Sequence, residues 1–280
     1  MRKHLTPNSR LLVQKSDAGG FTFTELLVVI AVLAILMSVL ASAFASVKPE
    51  SKVVQCLDGK RQLTLAWEMY ASDNSDKLMN INSWVSDIMD WTSSSQNTNT
   101  ALLTNPANAL IAGYNNSAFA FKCPADYYQS TANPGSRVRS VSMNIMLTGT
   151  PIIEGIGANF RKYLIAKKLS DLAQPGPAMV YVFLDEHADS INDGTFAFNA
   201  GYSRGLEKWR DLPAAYHDGA CGMSFADGHV EMHPWLEKSG VNKTIYPVLI
   251  QTYVSNAPWS AVNLGISQDY EWLDEHIPYF

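Results

Sequence analysis

The sequence predicts an α+β fold in which a long N-terminal helix, membrane-embedded in its first half, packs its second half on an antiparallel β-sheet body. Three observations predict it. Leu26–Val47 runs for 22 positions without a charge and is mostly Leu, Val, Ile and Ala, long enough as a helix to span a bilayer's hydrocarbon core. From Lys48 the chain turns polar, yet Leu63, Ala66, Trp67 and Tyr70 recur at i, i+3, i+4 and i+7, one face of an amphipathic helix. Beyond Asp73, short apolar runs fenced by turn residues read as strands.

The first element is a leader. Residues 1–20 carry Arg2, Lys3, Arg10 and Lys15 against one acid, Asp17, a bias that holds the leader in the cytoplasm and puts the body across the inner membrane. Gly20 offers no side chain to a peptidase that must bind extended backbone. Glu25, five positions later, is costly at the mouth of a membrane helix unless a cation accompanies it, and a chain cut after Gly20 would supply the Phe21 amine. An ordinary secretory signal competes, since Ala41-Ser42-Ala43 and Ala43-Phe44-Ala45 both fit an A-x-A cleavage pattern. Against it, the leader is long and the apolar run exceeds an h-region of 7–15 residues. The organisation read from this is a leader over 1–20, a transmembrane helix over 21–47, a stem helix over 48–72 and a body over 73–280.

Gly20-Phe21-Thr22-Phe23-Thr24-Glu25 behind a cationic leader resembles the class III signal of type IV prepilins and type II secretion pseudopilins. The resemblance implies cleavage between Gly20 and Phe21 by a prepilin peptidase, N-methylation of Phe21, and Glu25 answering the N-terminus of a neighbouring subunit. It also implies a pilin-like lollipop and other pseudopilin subunits as partners. His217, with nine residues between it and Asp227-Gly228, resembles the His–nine residues–Asp-Gly motif of processing-associated prepilin-type proteins. Leu184-Asp185-Glu186-His187 and Phe121-Lys122-Cys123-Pro124-Ala125-Asp126 resemble the same group. The function implied is structural and non-enzymatic: a subunit of a type II secretion or type IV pilus-like filament, its body periplasmic or in an extracytoplasmic filament. The rival is an anchored protein that borrows the signal for display, with a Trp-rich surface and an acidic loop holding a ligand such as a glycan.

The net charge is −5, and losing the leader makes it more negative. An acidic body without a basic run argues against nucleic acid as a partner. Cys56, Cys123 and Cys221 lack metal-type C-x-x-C spacing. In an oxidising compartment a disulfide is expected. Cys56 with Cys123 is the first choice, closing a long loop for about 4 kcal/mol; three buried free thiols are the alternative.

Further along, Pro49 bends or opens the stem helix, which should stop near Ser72 at Asp73-Asn74-Ser75-Asp76. Residues 92–108 are a polar loop with one helical turn, packed down by Trp84 and Trp91. Ser136–Leu147 reads as strand, and Phe160–Lys168 as a short helix with its basic pairs on a solvated face. The run 178–184 is a buried strand, and Cys221–Phe225 with His229–His233 form a hairpin about Asp227-Gly228.

Three groups invite chemical readings. His217 and Asp227 lack a nucleophile, because Gly222-Met223-Ser224-Phe225-Ala226 misses the second Gly of a nucleophile elbow. Asp227 and Gly228 then serve the hairpin turn, and His217 crosses to bond that turn's backbone. His229, Glu231 and His233 share one face of a strand, a solvent face more than a zinc site. Asp185, Glu186, Asp189, Asn192 and Asp193 concentrate hard oxygen ligands in one loop that suits calcium, against the alternative of a solvated acidic turn.

Overall fold

In the computed structural model, which describes residues 22–45, 48–86, 88–132, 135–155, 162–251 and 263–280, the first helix, α1, spans Phe23–Ala45. Its side chains are exposed as far as they are described, to Met37, although all but Thr24 and Glu25 are apolar. Among the described residues no helix is long and apolar enough to cross a membrane; the expected span of 21–47 reaches past the last described side chain. The chain divides into two units between Lys48 and Pro49.

The second helix, α2, covers Lys48–Asp73 with Pro49 in its first turn, where a missing N–H costs nothing. Leu63, Ala66, Trp67 and Ala71 are buried and Tyr70 half-buried, so the stripe read from their spacing is the packed face. The stripe also extends backward through Lys60 and Cys56, both buried. Helix α2 stops where expected, with Asn74 Nδ2 donating to the Tyr70 carbonyl at 2.8 Å and Ser75 and Asp76 in the left-handed region.

The body is built on a five-stranded sheet. Its strands are β1 (Val141–Asn144), β2 (Tyr181–Asp185), β3 (Thr195–Phe196), β5 (Ala220–Phe225) and β6 (Val230–Pro234), in the order β3-β1-β2-β5-β6. The pairs β1–β2, β2–β5 and β5–β6 are antiparallel, whereas β1–β3 is parallel, so the sheet is antiparallel-rich rather than purely antiparallel. Strands β1, β2 and β5 are buried at every position, which is why β2 reads as an unbroken apolar run. A ribbon of β4 (Glu207–Lys208) with β7 (Asn263–Gly265) is followed in the chain by the C-terminal helix over Gln268–Glu275. That helix, α4, is capped by Ser267 Oγ, which accepts from the Tyr270 N–H at 3.2 Å; α3 is the single turn Ala101–Thr104 inside the polar loop.

Two readings need correction. Lys162–Lys168 is extended rather than helical: Tyr163 bridges Tyr279, Ala166 bridges Leu147 and Lys168 bridges Lys77, and these long-range pairings outweigh the local helical preference. The region Ser136–Leu147 contributes only the four residues of β1 as strand. Trp67, Trp84, Trp91, Trp209 and Trp235 are all buried. Trp84 Nε1 donates to the Gly194 carbonyl and Trp235 Nε1 to the Ala214 carbonyl, each at 2.8 Å. The described tryptophans thus serve the core, apart from half-buried Trp272, and do not form a Trp-rich surface.

Candidate functional site

Gly20 and Phe21 lie outside the described residues. Glu25 is the third residue of α1, and Thr22 stands just ahead of the helix. The Thr22 N–H and hydroxyl donate to Glu25 Oε2 at 2.8 and 2.7 Å, and the Glu25 N–H donates to Thr22 Oγ1 at 3.3 Å. This reciprocal pair is a capping box. The Thr-x-x-Glu spacing that signals it is present in the sequence, and a reading of Glu25 through charge alone overlooks it.

The second site lies in the body, where α2 meets the ends of β2 and β5. Three segments far apart in sequence converge there. Helix α2 supplies Cys56 and Lys60; the loop after the 3-10 turn Ala118–Phe121 supplies Cys123; the turn before β5 supplies His217. Two glycines permit the approach. A Cβ on Gly59 would stand 3.0 Å from the Ala120 carbonyl oxygen, and one on Gly222 would stand 2.7 Å from Cys56 Sγ. Cys123 Sγ and His217 Nε2 are 3.1 Å apart. One ligand atom each from Cys56, Cys123 and His217 lie within 4.8 Å of one another, the one such group of three or more His, Cys, Asp or Glu side chains among the described residues.

Asp185, at the end of β2, ties this centre together. Lys60 Nζ donates to its Oδ1 at 2.7 Å, Ser140 Oγ to the same oxygen at 3.1 Å, and Cys56 Sγ to Oδ2 at 3.0 Å. Ser140 Oγ also accepts from the Cys123 N–H at 2.7 Å. Lys60 and Asp185 are both buried. Burial, the largest single influence, lowers the Lys60 ammonium, but the Asp185 charge and hydrogen bond together with the Cys56 and Cys123 sulfurs leave Lys60 above its ordinary value. The Cys56 thiol is held far above the usual range, first by its contact with Cys123, then by burial and by Asp185. All three cysteines are free thiols. The structure therefore sets Cys56 and Cys123 side by side, as expected of a bonded pair, without bonding them. Cys221 stands apart, its Sγ donating to the Asp185 carbonyl at 3.3 Å.

The hairpin turn is as expected, with Gly228 at φ 86° and Asp227 Oδ1 accepting from the His229 N–H at 3.1 Å. His217 is not its partner. The His217 N–H bonds the Ala220 carbonyl at 3.3 Å and its ring turns to the cysteines, so the motif's two ends serve different places. His229 stacks on Phe225 with centroids 4.2 Å apart, and His233 on Trp272 at 3.6 Å. His233 is mostly covered, its side chain 12% exposed, and burial lowers its pKa to about 4. Of the three residues on this face of β6, only His233 is covered; the His229 and Glu231 side chains are 40% and 42% exposed, as a solvent face requires.

The acidic loop is not gathered into a calcium cage. Asp185 faces Lys60, and Glu186 accepts from Ser142 Oγ at 2.6 Å and Ser190 Oγ at 2.8 Å. Asp189 accepts from Trp91 Nε1 at 2.8 Å and from the Gln251 N–H at 3.0 Å. Asp193 Oδ1 takes the Thr195 N–H at 2.8 Å, while Asn192 contributes its carbonyl to the Met89 N–H at 2.6 Å. Each group spends its oxygens on a different donor, because β2 enters the core and carries the first acids with it. A polar depression of about 210 Å³ lies over Asn192, Asp193, Arg210 and Asp211. Burial raises the Asp211 carboxyl to about 8, with the Asp193 charge adding to it and the Ala197 N–H opposing it. Burial likewise lifts Glu186 well above the ordinary range.

Residues 15–41 match the family described as the prokaryotic N-terminal methylation motif. That match is consistent with a prepilin- or pseudopilin-type signal and covers Gly20, Phe21 and Glu25. No curated protein and no solved structure matches the chain.

Proposed function

We propose that the chain is a pseudopilin-like structural subunit of a type II secretion or type IV pilus-like filament. In this reading a prepilin peptidase cuts after Gly20 and methylates the Phe21 amine. The mature chain sits in the inner membrane by a single span over 21–47, with the stem over 48–72 and the body over 73–280 on the periplasmic side. The assembled shape is a pilin-like lollipop, and its role is structural rather than enzymatic. One observation carries the reading: a methylation motif over 15–41 overlaps a helix whose described side chains are all exposed and, Thr24 and Glu25 aside, apolar. A helix that is hydrophobic all round requires an apolar environment, either lipid or other helices. The display alternative loses part of its support because the described tryptophans are largely buried.

The test is mass spectrometry of the mature N-terminus. N-methylated Phe21 is expected, and Gly20→Val is expected to retain the leader. A mature chain beginning at Ser46 would overturn the reading in favour of ordinary secretory processing.

A further inference from the structure

We infer that Cys56, Cys123 and His217 form a site for a zinc-type divalent cation, bound by two thiolates and one imidazole. The donor set is soft sulfur with imidazole nitrogen, the set that selects zinc and related ions. Tetrahedral bonds of about 2.3 Å to sulfur and about 2.0–2.1 Å to nitrogen place neighbouring ligand atoms roughly 3.5–3.8 Å apart. The three atoms here lie within 4.8 Å of one another, with the closest pair, Cys123 Sγ and His217 Nε2, at 3.1 Å. That pair has to open by about half an ångström to receive the ion.

Both sulfurs have donors beside them, and metal binding has to displace the proton that Cys56 Sγ now gives to Asp185 Oδ2 at 3.0 Å. The Ala125 N–H donates to Cys123 Sγ at 3.4 Å, and Lys60 Nζ lies 3.8 Å from Cys56 Sγ. Donors placed on ligand sulfurs are the outer support that metal thiolates require, whereas a disulfide carries no charge for them to stabilise. His217 likewise has no role beside a disulfide. Charge also balances. Binding releases one proton from each thiol, so two thiolates neutralise the dication, while Lys60 and Asp185 neutralise each other. A buried centre of zero net charge avoids the desolvation cost of an unpaired ion.

His217 also faces the surface side of the site. A surface depression of about 380 Å³ is lined by Val53, Ala125, Tyr127, Tyr216, His217 and Asp218. With three protein ligands, a fourth position is left for water or an exogenous donor. Nothing in the local sequence signals the site, since its ligands come from positions 56, 123 and 217.

The experiment is a Co²⁺ titration of the reduced full chain in detergent, followed by Zn²⁺ displacement. One Co²⁺ per chain with a thiolate-to-cobalt charge-transfer band is expected. Cys56→Ser and Cys123→Ser should abolish the band, and Cys221→Ala should keep it. His217 is half-buried, so His217→Ala probes the site without opening the core; it should weaken binding by about tenfold or more while the far-ultraviolet circular dichroism stays unchanged. Absence of the band in the wild-type chain, or His217→Ala titrating like wild type, would overturn the inference. So would a Cys56–Cys123 disulfide in protein isolated anaerobically.

Discussion

Gly222 of β5 faces Cys56 of α2 so closely that a single added methyl group would stand 2.7 Å from the sulfur and 3.0 Å from Asp185 Oδ2. Both neighbours are buried and neither can retreat without disturbing the Lys60–Asp185 pair. Gly222→Ala is therefore expected to destabilise the body by about 1–3 kcal/mol, the usual cost of overpacking. Gly113, whose added Cβ would meet nothing within 4 Å, is the comparison, and Gly113→Ala should shift stability by less than about 0.5 kcal/mol. Urea unfolding of the two variants checks this, and equal midpoints would sink it.

Lys60 and Asp185 meet at 2.7 Å with both side chains 1% exposed. Removing the cation leaves a buried carboxylate with only a hydroxyl and a thiol to answer it. Lys60→Met is expected to cost about 3–5 kcal/mol, the penalty for breaking rather than replacing a buried pair. The double variant Lys60→Met with Asp185→Asn should recover much of that loss. A double variant that is no more stable than Lys60→Met alone would show that the pair does not act as a unit.

The elements legible in the sequence are those whose signal is local. The stripe of Leu63, Ala66 and Trp67 gives α2, the apolar run gives β2, and Asp227-Gly228 gives the hairpin. The failures share a cause as well. The segment Lys162–Lys168 is set by bridges to residues from Lys77 to Tyr279, and the parallel pairing of β1 with β3 by contacts that no turn announces. The motifs containing Cys123, Asp185 and His217 were each visible, but their convergence on Cys56 depends on tertiary packing. The Thr22–Glu25 cap, by contrast, was readable from its spacing.

Asp211 and His233 give the body opposing responses to pH. Asp211 is raised to about 8 from an ordinary 3.8, so between those values the folded chain holds a proton that the unfolded chain releases. Its contribution to stability is complete below about pH 4 and is lost as pH rises through about 8. His233 is lowered to about 4 from 6.5. The unfolded chain binds that proton first, so this contribution is present above about 6.5 and is lost as pH falls through about 4. The two partly cancel between about pH 4 and 6.5, and the Asp211 response dominates from there to about 8. Stability is expected to fall across that upper window in the wild-type chain and to fall less steeply in Asp211→Asn, which keeps an oxygen for the Ala197 N–H, while Glu186, also raised by burial, sustains the rest of the slope. Denaturant midpoints at several pH values measure it; a slope unchanged in Asp211→Asn would assign the effect elsewhere.

Glu25 caps α1 and, in the proposed filament, also pairs by charge, and separating the two gives the sharpest test of filament assembly. Its carboxylate accepts from the Thr22 N–H and hydroxyl at 2.8 and 2.7 Å, which caps α1. In the proposed filament its charge would also answer the Phe21 amine of a neighbouring subunit once the leader is removed. Capping needs only an acceptor oxygen, so Glu25→Gln preserves it, while Glu25→Ala removes it. Charge pairing is lost in both. Thr22→Ala does the converse, removing the capping hydroxyl at a cost of about 1 kcal/mol of helix stability and keeping the charge. An acid beside hydrocarbon is unfavourable unless a cation answers it, so neither Glu25 variant should impair membrane insertion or cleavage after Gly20. In-cell crosslinking between stem helices is expected to fall in Glu25→Ala and Glu25→Gln alike and to persist in Thr22→Ala. Crosslinking lost in Glu25→Ala and Thr22→Ala but normal in Glu25→Gln would reduce Glu25 to a helix cap. Crosslinking unchanged in both Glu25 variants would favour membrane display over a filament, because a displayed monomer has no neighbouring amine for the acid to meet.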